Sequence, residues 1–364
     1  MKKYLYIAFY ILVFFLIVGS PIYFLLENIE RQNIATGFQF LSQEAGFEIS
    51  ESIIDYNSFM SYGRALFAGL INTIYVAFIG NVIAFIIGIL LGVFSLSKNP
   101  LLSQFCSVYL NFFRNVPLIL QLFFWYGIFT DILPGVREAR EFLGVIISNR
   151  GIAIPMLETN NAPIYFIISL LLSGLISFVF GRNLKKLKVL KLSLIFLFFL
   201  TFFIIALVAY FPVSFPEARG FNVEGGYSFS PELIALILGL VLYTGAFMGE
   251  IVRAGIQAVG KGQWEAAFSL GMTRAQTLKK IILPQSFKVA LPPMTAQFLN
   301  LTKNSSLAVA IGYPDFVSVA NTTMNQTGQA VELVLLIMVL YLITSLFVSG
   351  ISNLINRKIL GSAR

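Results

Sequence analysis

Long uncharged runs dominate the chain. Residues 4–26, 65–97, 115–130, 159–181, 192–216, 233–249 and 333–356 contain no Asp, Glu, Lys or Arg. About 20 apolar residues in a helix cross the hydrocarbon core of a bilayer, so each run reads as a membrane helix. An eighth is expected within residues 285–311, interrupted by Lys288 and Lys303. The runs are continuous rather than alternating, which excludes a transmembrane β-barrel. The first run follows Met1-Lys2-Lys3 and is longer than a signal-peptide core. It also lacks a small-residue cleavage pattern, so it reads as a retained anchor helix.

Polar segments divide these runs. Residues 1–26 form the anchor and 27–64 an outer segment. Residues 65–130 begin a helical core, 131–158 make an outer loop, 159–216 an inserted helical pair, and 231–356 the second part of the core. The outer loop holds Pro134-Gly135 and a mixed-charge run from Arg137 to Glu141, read as a solvated helix or loop face. The inserted pair is joined by a basic turn, residues 182–191. With the N-terminus inside, cytoplasmic segments carry seventeen Lys and Arg, against six in the outer segments. This bias puts both termini in the cytoplasm.

Composition narrows the class. Hydrophobic residues make up 57% and charged residues 12%, half the usual charge of a soluble domain. The same figures exclude disorder. The net charge of +8 is scattered over short loops and reads as topology bias, not as a nucleic-acid surface. Histidine is absent and Cys106 is the one cysteine. Histidine acid–base chemistry, Cys/His metal sites and an internal disulfide are thereby excluded.

The most informative segment is the loop at residues 253–284. Trp264 to Leu270 contains good helix formers and is stopped by Gly271. Thr273 is placed to cap a second short helix, with Gln276 as capping-box partner, running to Leu283 before Pro284 opens the next span. Two short helices joined at Gly271 would expose Trp264, Phe268 and Leu270. That is either a docking surface or a loop lying on the membrane.

The spacing says more. Glu265-Ala266-Ala267, three residues, Gly271, nine residues, Ile281, one residue and Leu283-Pro284 resembles the EAA loop of ABC-importer permeases. The likeness continues in Gly249-Glu250-Ile-Val-Arg253-Ala-Gly, in Leu291-Pro292-Pro293, in Asn300-Leu-Thr-Lys303-Asn304-Ser-Ser, and in Asn111-Phe-Phe-Arg114-Asn115-Val116-Pro117 followed by Gln121. These are similar to the polar-amino-acid branch, and to the Q-type membrane subunit of general L-amino-acid importers. Asn115-Val116 departs from the branch's more frequent Gly-Thr.

The resemblance implies an all-α polytopic membrane protein of about eight transmembrane helices. Its type I importer (MetI-like) core of five would carry one N-terminal and two inserted helices. It implies that Trp264, Glu265, Ala266, Ala267, Phe268, Gly271, Arg274, Leu283 and Pro284 couple the chain to a separate ABC ATPase dimer. ATP and magnesium would be bound by that partner, and no cofactor by this chain. A homologous second permease, a periplasmic amino-acid-binding protein, membrane lipid and an L-amino-acid substrate complete the implied assembly, in a bacterial inner membrane.

Charges within spans are costly and usually functional. Glu250 and Arg253, three apart, share a helix face and either pair with each other or fix the orientation of the coupling loop. A zwitterionic amino acid needs donors for its carboxylate and acceptors for its ammonium. Arg114, Gln121, Asn300, Lys303 and Asn304 are the candidates for lining its path; the alternative is that they stitch helices together. Pro292-Pro293 predicts a kink. No phosphate-binding loop is present, so the chain is expected to be a transporter subunit and not itself an ATPase. An ion-coupled secondary amino acid transporter is the alternative. A membrane enzyme is disfavoured for want of paired acids or a nucleophile–base set.

Overall fold

A computed structural model describes residues 2–31, 36–139, 141–157 and 213–361. The described chain forms two compact units, one of Met1–Phe123 with Leu236–Arg364 and one of Phe124–Ala235.

Helix α1 spans Lys2–Arg31. Helix α2, Tyr62–Phe94, starts at Ser61, whose side chain accepts from the Arg64 backbone N–H. Helix α3, Pro100–Asn115, starts at Asn99, whose side chain accepts from Leu101 and Leu102, with Pro100 in the first turn. Helix α4, Leu118–Gly127, continues as a π-helical turn, Ile128–Ile132. Then come α5 (Pro231–Gln257), α6 (Lys261–Ser269) and α7 (Arg274–Thr277). A π turn, Leu278–Ile282, leads into α8 (Leu283–Asn304) and a 3-10 segment, Ser305–Ile311. The chain closes with α9 (Phe316–Thr327) and α10 (Ala330–Gly361).

Among the described residues three helices are long and apolar enough to cross a membrane: Tyr62–Phe94, Pro231–Gln257 and Ala330–Leu354. A fourth span is counted if α3 and α4, bent by 103° at their junction, act as one. The described residues thus do not confirm the count of eight. The run at 115–130 is not one straight span, because Pro117 forces Val116 out of helical backbone, to φ −92° and ψ 126°. The inserted pair at 159–216 lies outside the described residues except for its end, where Val213–Ser214 is a strand. The expected break at Pro284 is absent. Ile282 and Leu283 keep helical dihedrals, and proline is tolerated in a first turn, so the backbone runs on into α8. Pro292 and Pro293 likewise lie inside one helix.

Helix α2 organises the first unit through small residues. A Cβ on Gly88 would come within 2.5 Å of Met248 Cβ, and one on Gly92 within 2.5 Å of Val252 Cβ and 2.6 Å of the Gly249 carbonyl. The backbones of α2 and α5 meet there because neither glycine has a side chain, the usual device for close crossing in membranes. Toward its other end, Asn72 donates to the carbonyls of Glu51 and Pro314 (2.8 and 2.9 Å), and the Phe316 N–H donates to Thr73 Oγ1. Phe40, Ala45, Tyr62, Leu66, Phe316 and Leu333 share one buried cluster, so the 36–61 segment packs onto α2, α9 and α10. Glu332 on α10 accepts from the Gly37 N–H at 2.6 Å.

The second unit corrects the all-α expectation. Strands β1 (Glu141–Phe142), β2 (Val145–Ser148), β3 (Gly151–Ile154) and β8 (Tyr227–Phe229) form an antiparallel sheet in the order β1-β2-β3-β8. Strand β4 (Met156–Leu157) pairs with β5 (Val213–Ser214), and β6 (Glu217–Arg219) with β7 (Asn222–Glu224). The runs Val145-Ile146-Ile147 and Ile152-Ala153-Ile154, β-branched but for Ala153, suit a pleated, half-buried surface. Gly151, at φ +108°, has no room for a Cβ, which would fall 1.9 Å from the Phe229 carbonyl. Of the mixed-charge run, Arg137 and Glu138 lie in an exposed turn ahead of β1, and Arg137 stacks over Phe221 at 3.9 Å.

Candidate functional site: the α5–α8 loop and the charges above it

Helix α6 is held at one face only. Ala267 is fully buried, whereas Glu265, Ala266, Phe268 and Leu270 are exposed, Leu270 at 80%. Trp264 is half-buried, contrary to the expectation that it projects outward. It packs beside Leu278, Ile281 and Leu283 on a core of Val252, Ile256, Val259 and Ile282. Its ring lies 6.0 Å from Phe268 and under the Arg274 guanidinium at 5.9 Å. Helix α6 ends at Leu270, and Gly271 turns the chain at φ +75°, a left-handed conformation that glycine adopts without a Cβ penalty. The capping box forms as expected: Thr273 Oγ1 accepts from the Gln276 N–H and the Gln276 side chain accepts from the Thr273 N–H.

Two tethers fix the loop to the membrane helices. Arg274 Nη2 donates to the Leu96 carbonyl, just beyond α2, at 3.0 Å, and Gln285 Nε2 donates to Gln263 Oε1 at 3.2 Å. Leu283 is half-buried and Pro284 exposed at the start of α8. Sequence reading missed the Leu96–Lys98 turn as the loop's anchor, since a backbone carbonyl has no sequence signature.

Above the loop the structure assembles a charge triad. Glu250 Oε2 meets Arg114 Nη1 at 3.1 Å and accepts from Arg253 Nε at 3.1 Å, while Oε1 accepts from Arg253 Nη2. Arg114 also lies 5.6 Å from the Phe247 ring, and its buried Nε has no hydrogen-bond partner among the described residues. The acid thus joins α3 to α5, a link that sequence spacing could not reveal; only the Glu250–Arg253 half was visible as a three-residue separation.

The other candidates divide. Gln121 is buried and donates to the carbonyls of Phe113 and Val116, both at 3.0 Å, so its amide group closes the end of α3 across the bend. On α8, Asn300 and Lys303 are exposed and Asn304 half-buried. With Val289, Pro293 and Ala296, also exposed, they mark one stripe at helical spacing left uncovered by the described residues.

The family described as "Binding-protein-dependent transport system inner membrane component" matches residues 84–361. The chain is 41% identical to the putative amino-acid ABC transporter permease protein YhdX of Escherichia coli (strain K12), covering 94% of this chain and 90% of that one. It is 39% identical to the general L-amino acid transport system permease protein AapQ of Rhizobium johnstonii, covering 91% and 85%. The crystal structure of an amino acid ABC transporter with histidines shares the fold at a TM-score of 0.50, with 22% identity over 82% of this chain and 95% of that one. These matches set aside the ion-coupled transporter and the membrane enzyme. The chain belongs to the inner membrane components of binding-protein-dependent transport systems: it is an ABC transporter permease embedded in the membrane.

Proposed function

We propose that this permease imports L-amino acids and is driven by ATP hydrolysed, with magnesium, on a separate ATPase dimer. The exposed face of α6 carries the reading. Glu265, Ala266, Phe268 and Leu270 offer an acid, a small flat patch and two apolar side chains on a loop held at Gln263 by α8 and at Arg274 by the end of α2. A force on such a helix passes into α5 through Trp264 and the Val252–Ile256 cluster, and into α8 through the continuous α7–π-turn backbone. The triad transmits the motion of α5 to α3, because Glu250 holds an arginine from each.

Lys303, Asn300 and Asn304 line the translocation path in this reading, the ammonium of Lys303 facing the substrate carboxylate. The exposed α8 stripe then faces a homologous second permease across that path. Arg114 and Gln121 shape the path from behind, since both are engaged within the chain. The named relatives, an amino-acid permease and a general L-amino-acid permease, support the substrate class. A periplasmic binding protein delivers the amino acid at the outer face, both termini lie in the cytoplasm of a bacterial inner membrane, and the chain itself binds no cofactor.

The test is retention of the ATPase. The tagged permease is co-expressed with its partner ATPase and purified in detergent. Wild type is expected to retain the ATPase, while Glu265→Arg and Gly271→Asp lose it with the permease still folded. Full retention in both variants would overturn the coupling assignment.

A further inference from the structure

Behind α6 lies a cavity of about 630 Å³ walled by the ends of two membrane helices, Phe94 on α2, Leu96 beyond it and Val259 after α5, and by Trp264 and Leu278 of the loop. Three cations line it, Lys98, Lys261 and Arg274, and among the described residues no acid does. Helix α2 approaches the cavity with an exposed apolar stripe: Ile74, Phe78, Val82, Ile86, Leu90 and Phe94 recur at four-residue steps. From Ile74 to Phe94 the helix rises about 30 Å, the thickness of a bilayer's hydrocarbon core. The stripe therefore fills the hydrocarbon depth, and Lys98, one turn beyond Phe94, stands at headgroup level.

We propose that this cavity binds the headgroup of an anionic phospholipid of the inner leaflet, with one acyl chain lying along the Val82–Phe94 stretch of α2. The charge is complementary, and basic pockets between membrane helices on the cytoplasmic side take such headgroups. The walls distinguish this site from the docking face. The neighbouring cavity of about 580 Å³ shares Lys98, Lys261, Arg274 and Trp264 with this one but adds Glu265, Phe268 and Met272, whereas the further apolar walls here come from the ends of α2 and α5 and continue into the lipid-facing stripe. Arg274 already ties α7 to the Leu96 carbonyl. A phosphate held by Arg274, Lys98 and Lys261 adds a second tie between the coupling loop and the end of α2. The inference rests on the orientation proposed above.

The test is native mass spectrometry of the purified transporter complex, titrated separately with dioleoyl phosphatidylglycerol and dioleoyl phosphatidylcholine. Wild type is expected to retain phosphatidylglycerol in clear preference. Lys98→Gln should lower its occupancy about fivefold, and Lys98→Gln/Lys261→Gln further, while the double arginine variant keeps it. Retention of the ATPase, read in the same spectra, reports the coupling assignment separately. Equal retention of the two lipids by wild type overturns the proposal whatever the variants do. So does unchanged phosphatidylglycerol in the double glutamine variant. Loss of bound lipid to inorganic phosphate alone, or binding only once the ATPase has dissociated, would assign the cavity to a free anion or to the ATPase instead.

Discussion

Replacing Glu250 by Gln should destabilise the permease more than any single change to its partners. Glu250 meets both Arg114 and Arg253, and its own side chain is 25% exposed, against 34% and 37% for the arginines. The neutral amide keeps the volume but leaves two guanidinium groups facing each other without a counter-charge. Removing one partner of a fully buried pair costs about 3–5 kcal/mol, whereas exposed pairs are worth about 0.2–1 kcal/mol. Partial exposure puts this triad between the limits, at about 2 kcal/mol, or roughly thirtyfold in the folded-to-unfolded ratio. The assay is reversible denaturant unfolding in detergent of wild type, Glu250→Gln, Arg253→Met and the double variant. The double variant should recover part of the loss, because it removes the uncompensated charge on α5. A Glu250→Gln cost below about 0.5 kcal/mol, or strictly additive single effects, would refute the triad as a linked unit.

Three further expectations follow from the packing and the charges. Gly92→Ala places a Cβ 2.5 Å from Val252 and 2.6 Å from the Gly249 carbonyl, so it should cost about 1–3 kcal/mol in the same unfolding assay, whereas Gly262→Ala, with open space around it, should cost far less. Asp315 caps α9 and is almost fully buried, which pushes its carboxyl up to about 7. A raised carboxyl favours the protonated fold, so this contribution is full near pH 4 and is lost as pH rises through 7. Melting temperatures in detergent should therefore fall between pH 5 and pH 8 in wild type, and less steeply in Asp315→Asn, which keeps the cap. Lys303→Glu should change the ranking of transported amino acids, by about tenfold between acidic and basic substrates, while the protein still inserts; equal loss for every substrate would place Lys303 outside the path.

What could be read from the chain alone followed from local chemistry. Gly271, Thr273 and Gln276 act within a few residues of one another, so the turn and the capping box at the coupling loop were visible. The Glu265–Pro284 spacing named the family because its positions sit in one continuous segment. Contacts across the sequence were not visible. Arg114 and Glu250 are 136 positions apart, and nothing in either neighbourhood marks them as partners. Trp264 looked exposed because its burial depends on Val252 and Ile282 of other elements. The small sheet was missed because its strands are two to four residues long and β3 pairs with β8 from across the inserted segment. Val116-Pro117 did carry a readable signal for the 103° bend, but hydropathy alone merged the run into one span.

The decisive measurement is uptake of radiolabelled L-amino acids into proteoliposomes. The permease is reconstituted with its ATPase, second permease and binding protein. Accumulation should require ATP and binding protein together, and should vanish in Glu265→Arg. Accumulation by the permease alone, driven by a sodium or proton gradient without ATP, would show that it is not coupled to an ATPase.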